Sequence, residues 1–211
     1  MGDRRRERAE LTRALLLRTA ERLYAERGLA DVSLRQIVEA AGVGNNSALT
    51  YHVGDRTDLI RAIADSHAAD VGRRLKELAE TARGATDPRT HVATLILPYV
   101  QHLASLGSPC WGARFSAQIT ADPVFGDMVD DHPALSAALE EASATVWAYA
   151  PDLPNRVREL RTRMVRLTVI HTCADEEAAA ARTGQAPDWS TIGAALVDAV
   201  TGLVLAPPAS S

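Results

Sequence analysis

The sequence predicts an all-α protein with a short N-terminal three-helix unit, a linking helix and a larger helical domain. Apolar side chains in almost every segment of the 211 residues repeat with a period near 3.6, and no stretch alternates convincingly. Capping residues and glycines stand where these periodic segments begin and end. With 46% hydrophobic and 24% charged residues, the chain can bury an ordinary core.

The first helix is predicted from about residue 8 to residue 27, and Gly28 is suited to its left-handed cap. Its apolar stripe consists of Leu16, Ala20, Leu23 and Tyr24. Residues 1–8 contain four arginines, namely Arg4, Arg5, Arg6 and Arg8. Two interpretations of this segment stay open: a flexible arm that reaches phosphates or a minor groove, and a solvated disordered start.

A second helix about two turns long is predicted to begin after Ser33, because Gln36 three positions later completes a capping box. Its apolar face has the spacing i, i+3, i+4, i+7 and consists of Leu34, Ile37, Val38 and Ala41. Gly42 follows this face and ends the helix.

A third, short helix is predicted after Gly44, with Asn45 or Asn46 as its cap. It has few apolar residues, and so short a helix is unstable alone, so Leu49 and Val53 must dock onto the first two helices. Its polar side chains then face partly outward. Gly54 ends it and Asp55 caps a longer linking helix, whose apolar pattern runs through Leu78.

Two short helices joined by a glycine-containing turn, with a polar second helix, are typical of a helix-turn-helix unit that enters the DNA major groove. Asn, Ser and Thr side chains can reach base edges, whereas Tyr, His and Thr can reach phosphate oxygens. The alternative is structural: Tyr51 packs in the core and the asparagines only cap the helix.

Residues 12–63, "TRALLLRTAERLYAERGLADVSLRQIVEAAGVGNNSALTYHVGDRTDLIRAI", resemble the N-terminal DNA-binding region of the TetR family of bacterial transcriptional regulators. The positions that carry the resemblance are Gly28, Ser33, Ile37, Ala41, Gly42, Val43, the segment 45–52 and Leu59. The turn is one residue longer than is usual in the family, and Thr50 stands where a tyrosine is common. Arg56 lies near the position of a family lysine.

The resemblance implies a DNA-binding domain over residues 1–55, with the arginine-rich segment 1–8 as its arm. The DNA-binding candidates are Ser33, Arg35, Asn45, Asn46, Ser47, Thr50, Tyr51, His52 and Arg56. The resemblance also implies an all-helical effector-binding and dimerisation domain over residues 56–205, followed by a tail at 206–211. The implied function is a homodimeric, ligand-responsive regulator, and most such regulators are repressors that release a palindromic operator.

Helices in the C-terminal region are predicted around 87–107, 109–121, 133–150, 154–183 and 188–205. In the last two, apolar residues recur at alternating spacings of three and four, which is the seam of a helix packed at a shallow angle. The seam residues are Val157, Leu160, Met164, Leu167, Ile192, Leu196, Val200 and Leu203. They suit a two-fold four-helix bundle between subunits, although the pair could also simply close the monomer core.

An effector site is expected between helices of the C-terminal domain, with apolar and aromatic walls and a few polar groups. The candidates are Tyr99, His102, Trp111, Arg114, Phe115, Gln118, Met128, Trp147 and His171. Such a lining favours a partly apolar, planar small molecule. For each residue, an ordinary place in the core or on the surface is the alternative.

Other classes of function find little support. The six histidines have no metal-binding spacing, and the chain has no phosphate loop or nucleophile elbow, so neither an enzyme, a metal site nor a cofactor is predicted. Two separated cysteines and no membrane-spanning run favour a cytoplasmic protein. The net charge is −4, but residues 1–60 hold ten arginines and nine acidic residues. The main competitor is a regulator-like protein that acts through protein partners without specific DNA binding.

Overall fold

The computed structural model describes residues 2–43, 53–126 and 132–208, and all regular secondary structure in these ranges is helical. This confirms the predicted all-α class. The helices are α1 (Gly2–Arg27), α2 (Leu34–Ala41), α3 (Arg56–Thr81), α4 (Pro88–Ser105), α5 (Gly112–Ala121), α6 (Pro133–Trp147), α7 (Asn155–Thr183) and α8 (Trp189–Leu205). No helix in these ranges is long and apolar enough to cross a membrane.

The first helix begins earlier than predicted, at Gly2, so residues 2–8 of the expected arm are helical. The physical reason is local: arginine and glutamate favour helices, and Arg6 pairs with Glu10 one turn later at 3.6 Å. The segment thus presents its arginines from a helix.

The predicted capping of α2 and α3 is found in the structure. The Ser33 hydroxyl accepts from the Gln36 backbone N–H, while the Gln36 side chain accepts from the Ser33 N–H at 2.8 Å. Asp55 and Asp58 form the equivalent reciprocal pair at the start of α3. Gly42 ends α2 with a φ of 65°, a left-handed conformation that favours glycine.

A first core joins α1, α2 and the beginning of α3. Leu16, Leu23, Ile37, Leu59, Ile60 and Ile63 are among its buried residues. Three buried members of this core come from far along the chain: Phe115 and Ile119 of α5, each only 1% exposed, and Phe125 shortly after α5. The ring of Phe115 lies 6.3 Å from that of Tyr24, so α5 is built into the N-terminal core.

Two further cores make up the C-terminal region. The larger one joins α4, α7 and α8 with Ala113 of α5 and Trp147 at the end of α6. The smaller one packs the second half of α3 against α6 through Val71, Leu75 and Leu135. Because α3 contributes to the first and third cores, this single helix runs from the N-terminal unit into the C-terminal region.

A buried carboxylate fastens α5 to α7. Glu177, in the last third of α7, is 2% exposed and accepts from the backbone N–H of Ala113 at 3.0 Å and of Arg114 at 3.2 Å. The Arg114 guanidinium adds a bond at 3.0 Å, and the Cys110 thiol lies 3.1 Å from the other carboxylate oxygen. The anion therefore satisfies N–H groups at the positive end of the α5 dipole and is neutralised by an arginine of the same helix.

Replacing Glu177 by glutamine is expected to destabilise the chain by about 3 kcal/mol, because the Arg114 guanidinium loses its counter-charge in a nearly closed site. Urea denaturation followed by circular dichroism measures this loss. Glu176→Gln, on the exposed side of the same turn, is the matched control and should stay within about 0.5 kcal/mol of the parent. Equal losses in the two variants would show that the buried bonds do not stabilise the fold.

Candidate DNA-binding and effector sites

Much of the predicted DNA-reading segment falls outside the described residues. This applies to Asn45, Asn46, Ser47, Thr50, Tyr51 and His52, and in the C-terminal region to Met128. The residues that flank the segment are described. They are the end of α2 with its Gly42 cap, and Val53, which packs against the first core as predicted for the docked third helix.

The three described DNA-binding candidates lie in different environments. Arg35 projects from α2 with 78% of its side chain exposed and pairs with Glu39 at 2.8 Å. The hydrogen bond to Glu39 raises the pKa of Arg35, which carries its charge with or without this partner. Because the pair is on the surface, Arg35 can leave Glu39 for another anion. Ser33 is occupied by its capping box. Arg35 is thus the described candidate that is freest to reach a phosphate.

Arg56 has a structural partner. Its guanidinium donates from Nη2 to the backbone carbonyl of Leu29 and lies next to the buried Tyr24 hydroxyl. Burial raises the pKa of Tyr24, and the arginine opposes this shift. Arg56 therefore connects α3 to the end of α1, which is a role that the predicted phosphate contact did not include.

A cleft of about 440 Å³ lies between the N-terminal and C-terminal cores. It is bounded by α1, α3, the end of α4 and the loop before α5, and its lining includes Leu17, Glu21, Ile63, His67, His102 and Trp111. This volume is within the usual range for small-molecule sites, and the walls combine apolar surfaces with a few polar groups.

The floor of the cleft contains a hydrogen-bonded chain that crosses three helices. Glu21 Oε1 of α1 lies 3.1 Å from His67 Nε2 of α3, and His67 Nδ1 lies 2.7 Å from His102 Nε2 of α4. His102 Nδ1 then lies 2.7 Å from Asp70 Oδ2, one turn further along α3. Arg74 binds the same carboxylate at 2.8 Å, and Arg73 also donates to it.

Two of the predicted effector residues, His102 and Trp111, line this cleft. The other described candidates lie elsewhere. Phe115 is buried in the first core, where its ring lies beside those of Tyr24 and His67. Arg114 is bound to Glu177, and Trp147 and Tyr99 pack in or against the second core.

The two remaining candidates are near the surface. Gln118 is exposed on α5, with its Oε1 close to Gly28, where an added Cβ would lie 3.5 Å away. His171 is exposed on α7. The Tyr99 hydroxyl is buried near Ser116, and burial raises its pKa far above the ordinary value, so it stays protonated.

The residues predicted at the dimer interface divide into two sets. Leu160, Met164 and Leu167 are 40%, 55% and 39% exposed and form one stripe on α7. Leu196 and Val200 are buried in the second core, because the face of α8 that carries them packs on α4. Val157, Ile192 and Leu203 are half-buried at its edge.

Glu21, His67 and Asp70 were not predicted as site residues. The contacts of His67 with Glu21 and His102 span 46 and 35 positions of the chain, so no local spacing could have indicated them. In the described part of the chain, no group of three or more His, Cys, Asp or Glu side chains is arranged to hold a metal ion.

Comparison with known proteins gives matches concentrated at the N-terminus. Residues 16–63 match the family model described as bacterial regulatory proteins, tetR family. The HTH-type transcriptional regulator TtgR of Pseudomonas putida is 38% identical over 66 residues, which is 31% of this chain and 31% of that protein. The regulator AcrR of Shigella flexneri is 29% identical over 97 residues, 46% of this chain and 44% of that protein. The matches thus span between about a third and a half of each relative.

A solved structure extends the likeness to the whole fold. The crystal structure of Mycobacterium smegmatis AmtR aligns over 92% of this chain and 94% of that chain, with a TM-score of 0.53 and 20% identity. At this identity the alignment establishes a shared helical architecture. Residues 16–63 are thus similar to the bacterial regulatory proteins of the tetR family, and beyond them the likeness is one of helical architecture.

Proposed function

We propose that the protein is a homodimeric, ligand-responsive transcriptional regulator, and in the simplest form a repressor that leaves its operator when a small molecule binds. The observation that carries this proposal is the family match over residues 16–63, a region in which α2, its Gly42 cap and the start of α3 pack on one core. The described residues on either side of the predicted DNA-reading segment are thus packed on one core, as a helix-turn-helix requires.

A dimer through α7 and α8 is supported by the surface that these helices expose. The α7 stripe of Leu160, Met164 and Leu167 is apolar, and α8 exposes small residues at Ala195 and Ala199. Large side chains of one subunit can pack against such small residues of the other, as in four-helix bundles. A two-fold axis here gives two DNA-binding domains that match a palindromic operator.

The cleft between the two cores is the best candidate for the effector site. Trp111 offers an aromatic wall, Leu17 and Ile63 add apolar surface, and Arg18 and Ser66 add exposed polar groups to the lining. This lining suits a partly apolar, planar molecule with one hydrogen-bonding end. An occupant would contact α1 of the DNA-binding domain directly, so its binding and DNA binding would be linked in both directions.

Arg35→Ala is expected to weaken binding to all duplexes alike and to lower the salt slope by about one, because it removes a phosphate contact. Asn46→Ala is expected to change sequence preference instead. Fluorescence anisotropy with the region upstream of the protein's own gene, against random duplex at several salt concentrations, measures both effects. Arg83→Ala is the control, since Arg83 is a similarly exposed arginine that is ion-paired with Glu80 at the end of α3.

A folded dimer with no preference for its upstream region over random duplex would contradict the proposal. It would favour a regulator-like protein that acts through protein partners. Equal changes of sequence preference in the Arg35 and Asn46 variants would contradict the assignment of Arg35 to phosphate contact and Asn46 to base contact.

Met164→Asp is expected to dissociate the dimer without unfolding the chain. The residue is 55% exposed in a single subunit, so a carboxylate there becomes buried and unpaired only when the subunits meet. Sedimentation velocity measures the mass, and circular dichroism reports folding. Val124→Asp, at a site that is 78% exposed and away from α7, is the control. A Met164→Asp protein that stays fully dimeric would place the contact elsewhere.

Trp111→Ala is expected to weaken binding of planar apolar compounds at least about twofold, because aromatic stacking contributes about 0.5–1.5 kcal/mol beyond area burial. A panel of such compounds, screened by tryptophan quenching and by release of operator DNA, measures this. Trp189→Phe, at the start of α8, is the control. Compounds that release DNA with unchanged affinity for the Trp111 variant would show that the effector binds outside the cleft.

A further inference from the structure

The chain of contacts from Glu21 to Asp70 sets a requirement on the number of bound protons. It contains three short contacts between polar heavy atoms, at 3.1, 2.7 and 2.7 Å, and each needs one hydrogen to be a hydrogen bond. Two neutral imidazoles carry only two N–H groups, and the carboxylates at both ends accept. The complete set of three hydrogen bonds therefore needs one proton more than two neutral histidines provide.

The surroundings indicate where the protons lie. Burial opposes ionisation of Asp70, but bonds from Arg74, His102 and Arg73 outweigh it and hold the pKa of Asp70 well below its usual value. His102 Nδ1–H must then donate to this carboxylate. Burial lowers the pKa of His102 and outweighs the bond to Asp70, which raises it, so this ring is neutral and its Nε2 accepts. With His102 Nε2 as an acceptor, all three contacts are hydrogen bonds only if His67 donates from both of its ring nitrogens.

We propose that His67 and His102 form a proton-binding site at the junction of the two domains, and that the shared proton fastens α1 to α3 and α4. Without that proton, one nitrogen lone pair faces an acceptor and one of the three bonds is lost. Glu21 is the α1 end of this row of hydrogen bonds, and its contact with His67 therefore helps to hold the proposed DNA-binding domain in position. The consequence for DNA affinity rests on the proposed function, whereas the proton site itself does not.

Charged and titratable groups face the pair from every neighbouring element. Glu21 and Arg18 of α1 line the cleft, and Asp70, Arg73 and Arg74 surround the far end on α3. Cys110 lies in the loop before α5, where burial and then Glu177 raise its pKa to about 12, so it adds no charge. Glu21 is thus the anion nearest to the shared proton, and Asp70 is already matched by two arginines.

The site predicts a junction that is strongest at an intermediate pH. As pH rises, the shared proton leaves and the bond to one carboxylate is lost. As pH falls through the lowered pKa of His102, that ring takes a second proton, and its Nε2–H then faces the N–H of His67. The contribution of neutral His102 is present above its unfolded pKa of about 6.5 and disappears at the acid end.

The protonation states can be read directly by ¹⁵N NMR of the full-length protein with labelled histidine. The expected pattern near neutral pH is a neutral His102 with its proton on Nδ1, a doubly protonated His67, and a coupling across the His67–His102 hydrogen bond. Two independent neutral rings, both protonated on Nε2 and without this coupling, would overturn the proposal. Loss of the His67 signals in His67→Gln identifies that ring.

The thermodynamic test compares the pH dependence of unfolding in the parent, Glu21→Gln and His67→Gln between about pH 5 and 8. In the parent, stability should fall as pH rises, and this part of the profile is its alkaline limb. Glu21→Gln keeps an acceptor oxygen but removes the charge that favours the shared proton, so its alkaline limb should lie at lower pH. His67→Gln should remove the alkaline limb. In the parent, the folding equilibrium constant should fall by at most about tenfold per pH unit along it, because one proton is lost. Profiles identical to the parent in both variants would overturn the proposal.

His91→Gln is the control histidine, because His91 bonds the Ala85 carbonyl at 3.0 Å and lies outside the pair. It should leave the alkaline limb in place. DNA affinity of the parent should fall along the same limb, and Glu21→Gln should shift that fall equally. Unchanged DNA affinity beside a shifted unfolding profile would refute the coupling to DNA. A complete absence of DNA binding, with the NMR pattern present, would refute the proposed function and leave the proton site standing.

Discussion

The buried carboxylate of Glu177 is the constraint on which the arrangement of the two domains depends. Helix α5 has only ten residues and would not persist alone, because short helices are unstable in water. Glu177 of α7 satisfies N–H groups at its first turn and carries the charge that Arg114 neutralises. With its N-terminus held in this way, α5 can insert Phe115 and Ile119 into the first core, beside α1 and α2.

This geometry places α5 between the N-terminal core and the α7 helix. The α7 helix that carries Glu177 also carries the exposed stripe proposed as the subunit interface. A displacement of α7 would therefore move the start of α5, and the buried Phe115 would carry that movement into the N-terminal core. Packed interiors transmit such shifts because they leave no free volume to absorb them. The proposed repressor thus has a physical route from dimer geometry to the spacing of its DNA-reading segments.

The two domains meet at a second junction of a different kind. At α5 the contacts are apolar side chains and a carboxylate matched by an arginine. At the cleft, the contact between Glu21 and His67 depends on the shared proton proposed for the His67–His102 pair. The first junction fixes the domains together, whereas the second makes the position of α1 sensitive to conditions and to whatever occupies the cleft beside it.

By itself, the sequence determined the features that depend on neighbours a few residues apart. The helical period, the Ser33–Gln36 capping box, the Gly42 cap and the family pattern around them are local, since a helix repeats every 3.6 residues and caps act within one turn. It also determined which faces of α7 and α8 are apolar. Which partner covers each face was decided by the tertiary structure: Leu196 is covered within the chain, whereas Met164 is left exposed. The same holds for Phe115 in the N-terminal core and for the Glu21–His67–His102 contacts, because apolar periodicity specifies that a side chain is buried but carries no information about the distant residue it meets.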